Sequence, residues 1–185
     1  MPPQRLPQRC GCSLPTAAWQ SHSGGMAAIK TEHAERGAQA EADFQGWLDA
    51  SRLPYVYATQ DRESVPAHFR LVLKRPDYLV ALPYVGTIAF DVKSKTTYED
   101  GFLFDVAEVR RLAHFDDLFR VSTFFACLDP AGSPQSVWFR VVELMQCPVR
   151  KMKGKPAHAV PFTAGVRVDM GRAFQDALRD IISMH

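Results

Sequence analysis

At 185 residues, 46% apolar and 23% charged, the chain has the size and composition of one soluble globular domain and not of a wholly disordered or fibrous polymer. A net charge of +2 is too small to announce a polyanionic partner, so any basic surface has to come from local clustering. No apolar run approaches a membrane span, and residues 1–25, rich in Pro, Gln, Ser and Gly, lack the apolar stretch of a signal peptide. They read as a disordered tail ahead of a single folded domain at 26–185. Cys10, Cys12, Cys127 and Cys147 make no disulfide or metal-finger spacing and are expected to be reduced thiols in a cytoplasmic protein.

In chain order, Gly37, Ala40, Phe44, Trp47 and Leu48 recur at helical spacing and predict a helix over 31–50. A short strand is expected at 55–59, then a polar loop carrying Asp61, Arg62, Glu63 and Pro66. Two strands rich in β-branched and aromatic residues follow at 76–82 and 86–94, with Pro83 in the turn between them. Val109, Leu112, Phe115 and Phe119 mark the buried side of a second helix at 104–120. Unalternating apolar runs at 121–128 and 136–142, separated by a turn at Asp129-Pro130-Ala131-Gly132, read as strands covered on both faces. A last helix at 171–184 buries Phe174, Leu178, Ile181 and Ile182. The order αβββαββα predicts an α/β fold in which helices flank a mixed central sheet.

The segment FDVKSK at 90–95 places charge on alternate positions of a strand, so Asp91, Lys93 and Lys95 share one face while Phe90, Val92 and Ser94 share the other. A hairpin around Pro83 pairs residues equidistant from the turn and brings Asp77 to the level of Asp91, where the sheet is expected to meet solvent. Glu41 lies one residue from Ala40 and three before Phe44, on or beside the inward face of the first helix. Carboxylates converging in this way repel one another and force one to take up a proton unless a cation is shared among them. All-oxygen ligation suits Mg²⁺ or Mn²⁺ and not zinc.

Pro76-Asp77, thirteen intervening residues, then Asp91-Val92-Lys93 resembles the signature of the PD-(D/E)XK nuclease superfamily, and the element order is similar to the restriction-endonuclease-like fold. Within that superfamily, RGAQAEADFQGWL at 36–48 resembles the first helix of archaeal Holliday junction resolvases, in which a similar segment ends in the active-site glutamate. The resemblance spans about residues 31–142. It implies that Asp77, Asp91 and the backbone carbonyl of Val92 hold the metal, with Glu41 as a direct or water-mediated ligand. Lys93 then orients the attacking water or neutralises developing charge in phosphodiester hydrolysis. The second acid of the motif is Asp where Glu is more frequent, which demands closer approach to the metal. Junction cleavage further implies a homodimer that places two centres across one substrate.

From Glu143 to Asp169 no acid intervenes, while Arg150, Lys151, Lys153, Lys155 and Arg167 supply a basic loop expected to bind a phosphate backbone. Lys95 extends the positive stripe and is a further phosphate ligand or a plain solvated lysine. His33, His68, His114 and His158 show no ligand spacing, and Phe44, Trp47, Phe124 and Phe125 read as core. The expected activity is hydrolysis by a Mg²⁺-dependent nuclease acting on nucleic acid, DNA before RNA, with branched or junction DNA among its substrates. The alternative is a catalytically inactive module of the same fold that binds nucleic acid or a protein partner. The plainest alternative makes Asp91 and Lys93 a solvated ion pair and Glu41 a helix-surface acid.

Overall fold

Helix α1 (Gly24–Ala50) begins the part of the chain that the computed structural model describes, residues 24–59, 65–98 and 101–183. Residues 1–23 of the expected tail, with Cys10 and Cys12, lie outside the described residues, as do the 60–64 loop with Asp61, Arg62 and Glu63, the side chain of Ile182, and Met184. Strand β1 (Tyr55–Tyr57) is shorter than expected; a 3₁₀ turn at Ala67–Phe69 precedes β2 (Tyr78–Leu82) and β3 (Gly86–Ser94). The β2–β3 hairpin pairs Leu82 with Gly86 and Tyr78 with Phe90, the register that equidistance from Pro83 predicts.

The chain then departs from the sequence reading. Residues 101–105 form strand β4 (Gly101–Asp105), which takes in Phe104 and Asp105 from the expected helix, and α2 (Val106–Phe119) begins two residues later than its predicted start at 104. The Asp105 side chain accepts hydrogen bonds from the N–H groups of Ala107 and Glu108, satisfying two of the helix's unpaired donors and fixing the boundary. Phe102 and Phe104 point the same way from β4 into a core, the spacing of a strand and not of a helix.

Strand β5 (Ser122–Leu128) is followed by β6 (Gln135–Arg140), which ends where a short helix, α3 (Val141–Leu144), takes over. The expected basic loop is a β-hairpin, β7 (Val149–Met152) and β8 (Lys155–Pro161). Lys153 and Gly154 turn it with φ of 47° and 81°, a left-handed pair that only Gly adopts without cost and that matches the twist of two antiparallel strands. Strand β9 (Val166–Asp169) and helix α4 (Phe174–Ser183) complete the fold.

The large sheet has six strands in the order β1-β2-β3-β5-β6-β9, with β3 and β5 parallel and the other pairs antiparallel. This is the mixed α/β architecture that the sequence predicts. One face carries α1 and α4: Phe44, Trp47 and Leu48 meet Tyr78, Phe90, Trp138 and Phe174 in an aromatic core. On the other face lie α2, α3 and a small sheet ordered β4-β8-β7, packed through Phe104, Leu112, Phe125, Phe139 and Leu144. Burial on both faces explains why β5 lacks alternation. Among the described residues no helix is long and apolar enough to cross a membrane.

Candidate functional site

Alternation along β3 decides which face each charge takes. Phe90 and Val92 join the aromatic core under α1, so Asp91 and Lys93 project toward α2. Asp77, one residue before β2, is level with Asp91 and is clamped by its backbone: its N–H donates to the Phe90 carbonyl at 2.8 Å, and its Oδ2 accepts the Val92 N–H at 2.7 Å. The sequence places Asp77 at the solvent edge; it is instead 5% exposed, and Asp91 is wholly buried. The reason is the cover supplied by α2 and by the irregular segment ahead of β2, which the hairpin pattern alone does not reveal.

That segment supplies a residue that the sequence reading missed. Leu73 is buried with Ala89 and Phe115, and Lys74 N–H donates to the Arg111 carbonyl of α2 at 3.3 Å, which turns the Lys74 side chain into the site. Its Nζ donates to Asp91 Oδ1 at 2.5 Å and to Glu108 Oε1 at 2.7 Å. Lys93 Nζ forms an ion pair with Asp91 Oδ2 and approaches Glu108 Oε1 at 3.2 Å. Two ammonium groups and two carboxylates thus alternate in a closed ring, with Asp77 beside it.

Glu108 has a weak signal in the sequence, because an acid in the first turn of a helix is sufficiently explained by the helix dipole. Lys74 has none that separates it from a surface lysine.

The ring sets the protonation of its members. Burial first, and then the Asp91 charge, push the Asp77 carboxyl up to about 7 despite the opposing pull of Lys93 and Lys74. Burial would raise Glu108 as well, but Lys93 and Lys74 outweigh it and hold that carboxyl at about 2. For Lys93, burial favours the neutral amine and loses to Asp91 and Glu108, so the ammonium persists above its usual range. Cys127, paired with Lys93 across β3 and β5, has a thiol that burial pushes up to about 12, which leaves it no nucleophilic role.

Glu41 comes from α1, on the opposite face of the sheet. Its Oε2 accepts the Tyr57 hydroxyl at 3.0 Å, and its backbone carbonyl accepts the Tyr78 hydroxyl at 3.0 Å. Both phenols are held above their ordinary range, Tyr57 first by the hydrogen bond to Glu41 and Tyr78 first by burial, and each also feels the Asp77 charge. Glu41 therefore stands near the strand end from which Asp77 enters, with two tyrosines around it. Among the described residues no three His, Cys, Asp or Glu side chains gather as a metal-holding group.

The remaining sequence candidates divide into two sets. Lys95 is half-buried: its Nζ donates to the Leu103 carbonyl at 2.9 Å and lies 4.7 Å from the centre of the Phe104 ring, and burial pulls its pKa down. It ties β3 to the small sheet and is not part of a solvated stripe. Arg150, Lys151, Lys153 and Lys155 are exposed on the β7–β8 hairpin. Arg150 and Lys151 line an open cleft of about 550 Å³ whose apolar wall includes Phe102, Leu103 and Met152. Arg167 is on β9, in the other sheet, and is not part of that hairpin.

The donor chemistry fits a hard divalent cation. Asp77 and Asp91 are adjacent oxygen donors whose mutual repulsion, added to the larger effect of burial, holds the Asp77 carboxyl up and would be relieved by a cation. Both oxygens of Asp91 already hold ammonium groups, so a metal has to take the place of one of them.

No protein-family model and no curated protein matches the chain. Among solved structures it is similar to Hjc, a Holliday junction resolvase of the archaeal hyperthermophile Archaeoglobus fulgidus, at 16% identity and a TM-score of 0.49, over 70% of this chain and 94% of that one.

Proposed function

We propose that the protein is a Mg²⁺-dependent nuclease whose centre is built from Asp77, Asp91 and Lys93. The observation that carries this reading is the buried pair Asp77 and Asp91, level on two adjacent strands, with the Lys93 ammonium on Asp91. Asp77 and Asp91 would hold the cation, with the Val92 carbonyl and, through water, Glu41 as further ligands. When bound, the metal supplies Lewis acidity toward the phosphodiester and a more acidic water. Lys93 stays protonated, so its role is to orient water and to place positive charge against the phosphoryl oxygens; it is no general base. The Asp77 carboxyl, held up by burial and by Asp91, would have to give up its proton to hold a cation.

The basic hairpin supplies the binding surface. Arg150, Lys151, Lys153 and Lys155 would track a phosphate backbone without reading bases. The substrate is nucleic acid, with DNA preferred, and the resemblance of residues 36–48 to the first helix of archaeal resolvases is the reason to try junction and flapped DNA beside single strands and duplex. Cleavage across a junction would require a homodimer.

One observation favours the second reading, a nucleic-acid-binding module without catalysis: both oxygens of Asp91 are already neutralised by lysines. The two readings part in a cleavage assay on labelled single-stranded, duplex, flapped and junction DNA, with Mg²⁺ or with EDTA. A nuclease gives Mg²⁺-dependent products from at least one of the four; retention of DNA by the protein with no product from any of them supports the module.

A further inference from the structure

Resting on the metal reading above, the ring at Asp91 carries a consequence for how a cation enters it. Asp91 is wholly buried, and each of its oxygens is matched to one ammonium, Oδ1 to Lys74 and Oδ2 to Lys93. A buried carboxylate cannot stay uncompensated, so a divalent ion reaches it only by exchange with one of these lysines.

The two lysines differ in what they can fall back on. Lys74 already donates to Glu108 Oε1 at 2.7 Å, whereas Lys93 is 3.2 Å from the same atom. Lys93 is carried by the central strand β3, and its side chain leaves that strand on the Asp91 face, while Lys74 sits in the irregular segment between the 3₁₀ turn and β2. The Lys74, Lys93 and Glu108 side chains are 20%, 21% and 20% exposed, so water and ions reach the ring from its outer side and the two lysines differ in their second contact and their backbone, not in exposure.

We propose that Lys74 is an internal competitor for the divalent cation: it neutralises Asp91 in the metal-free protein and withdraws onto Glu108 when metal takes Asp91. The exchange replaces one positive group by another, so Asp91 is compensated throughout. Only the fraction of molecules with Lys74 off Asp91 is competent to bind, and apparent metal affinity falls by that fraction.

The test is Mn²⁺ binding to the full chain without nucleic acid, read from the electron paramagnetic resonance signal of free Mn²⁺. Wild type is compared with Lys74→Met, Lys74→Gln and Lys95→Met. Lys74→Met is expected to bind at least about tenfold tighter, because the competing state is gone. Lys95→Met removes an equal charge that is bonded to the Leu103 carbonyl and not to Asp91, and is expected to shift affinity by no more than about threefold. Lys74→Gln follows Lys74→Met in direction and replaces it if the Met variant loses its circular dichroism spectrum.

Unchanged or weaker binding in the Lys74 variants overturns the proposal, as does equal tightening in Lys95→Met, which would assign the effect to field alone. Mn²⁺ binding lost in Asp91→Asn but indifferent to Lys74 leaves the metal reading standing and removes this one. Tightening in Lys74→Met without cleavage of any DNA does the reverse for the nuclease.

Discussion

At Asp77 a carboxyl buried against Asp91 retains its proton to about pH 7 in the folded chain, whereas in the unfolded chain it gives it up near 3.8. Between those values the folded state binds the extra proton, so stability falls as pH rises through this window. Asp77→Asn keeps an acceptor for the Val92 N–H and removes the ionisation. It is expected to gain on the order of 1 kcal/mol or more at pH 8 and nothing at pH 4, measured by urea denaturation. Glu108 has the opposite sign: its folded pKa lies near 2, below the ordinary 4.5, so its contribution is present above pH 4.5 and is lost as pH falls toward 2. Under the proposed metal reading a proton competes with the cation at Asp77, and apparent Mg²⁺ affinity is then expected to drop about tenfold from pH 8 to pH 6 in calorimetric titration. An affinity flat across that range would remove Asp77 from the ligand set.

Among the elements, those that place Asp77 and Asp91 were the most readable in the sequence. Strand β3 runs over Gly86–Ser94, as its β-branched and aromatic run predicts, and the hairpin register follows from Pro83. What escaped was made by neighbours. Residues 101–105 flow into a helical pattern, and only the pairing of β4 with β8 makes them a strand. Lys151, Lys153 and Lys155 carry no strand-like apolar alternation, so the β7–β8 hairpin reads as a loop until it pairs. Close approach fixes Gly101: a Cβ there would stand 2.0 Å from the Val160 carbonyl oxygen. Gly101→Ala is therefore expected to cost about 1–3 kcal/mol in urea denaturation by forcing β4 off β8. Asp105→Ala, which strips the cap from α2 and loosens the turn that carries Glu108, should cost about 1 kcal/mol.

At the scale of the whole molecule, the β7–β8 hairpin of the small sheet exposes Arg150, Lys151, Lys153 and Lys155 with no acid among them, while the ring of Lys74, Lys93, Asp91 and Glu108 lies under α2. DNA affinity in EDTA should therefore fall with salt, and Lys151→Ala with Lys155→Ala should flatten the dependence of log K on log salt by about 0.9 for each phosphate that the protein ceases to neutralise. Position along the chain did point to Asp77, Asp91 and Lys93 as one constellation, because strand alternation and hairpin symmetry are local rules. Lys74 and Glu108 join them through tertiary packing of an irregular segment on a helix, which has no period to read, and Glu41 approaches from the other face because α1 packs there. As proposed, Asp77, Asp91 and Lys93 together hydrolyse phosphodiesters. Single-turnover cleavage of the DNA substrate best cut by wild type, with saturating Mg²⁺, tests it in Asp91→Asn and Lys93→Ala. A loss of at least about a hundredfold is expected in each variant with DNA retention intact, as for groups that act on the transition state; rates equal to wild type in either variant would contradict the proposed activity.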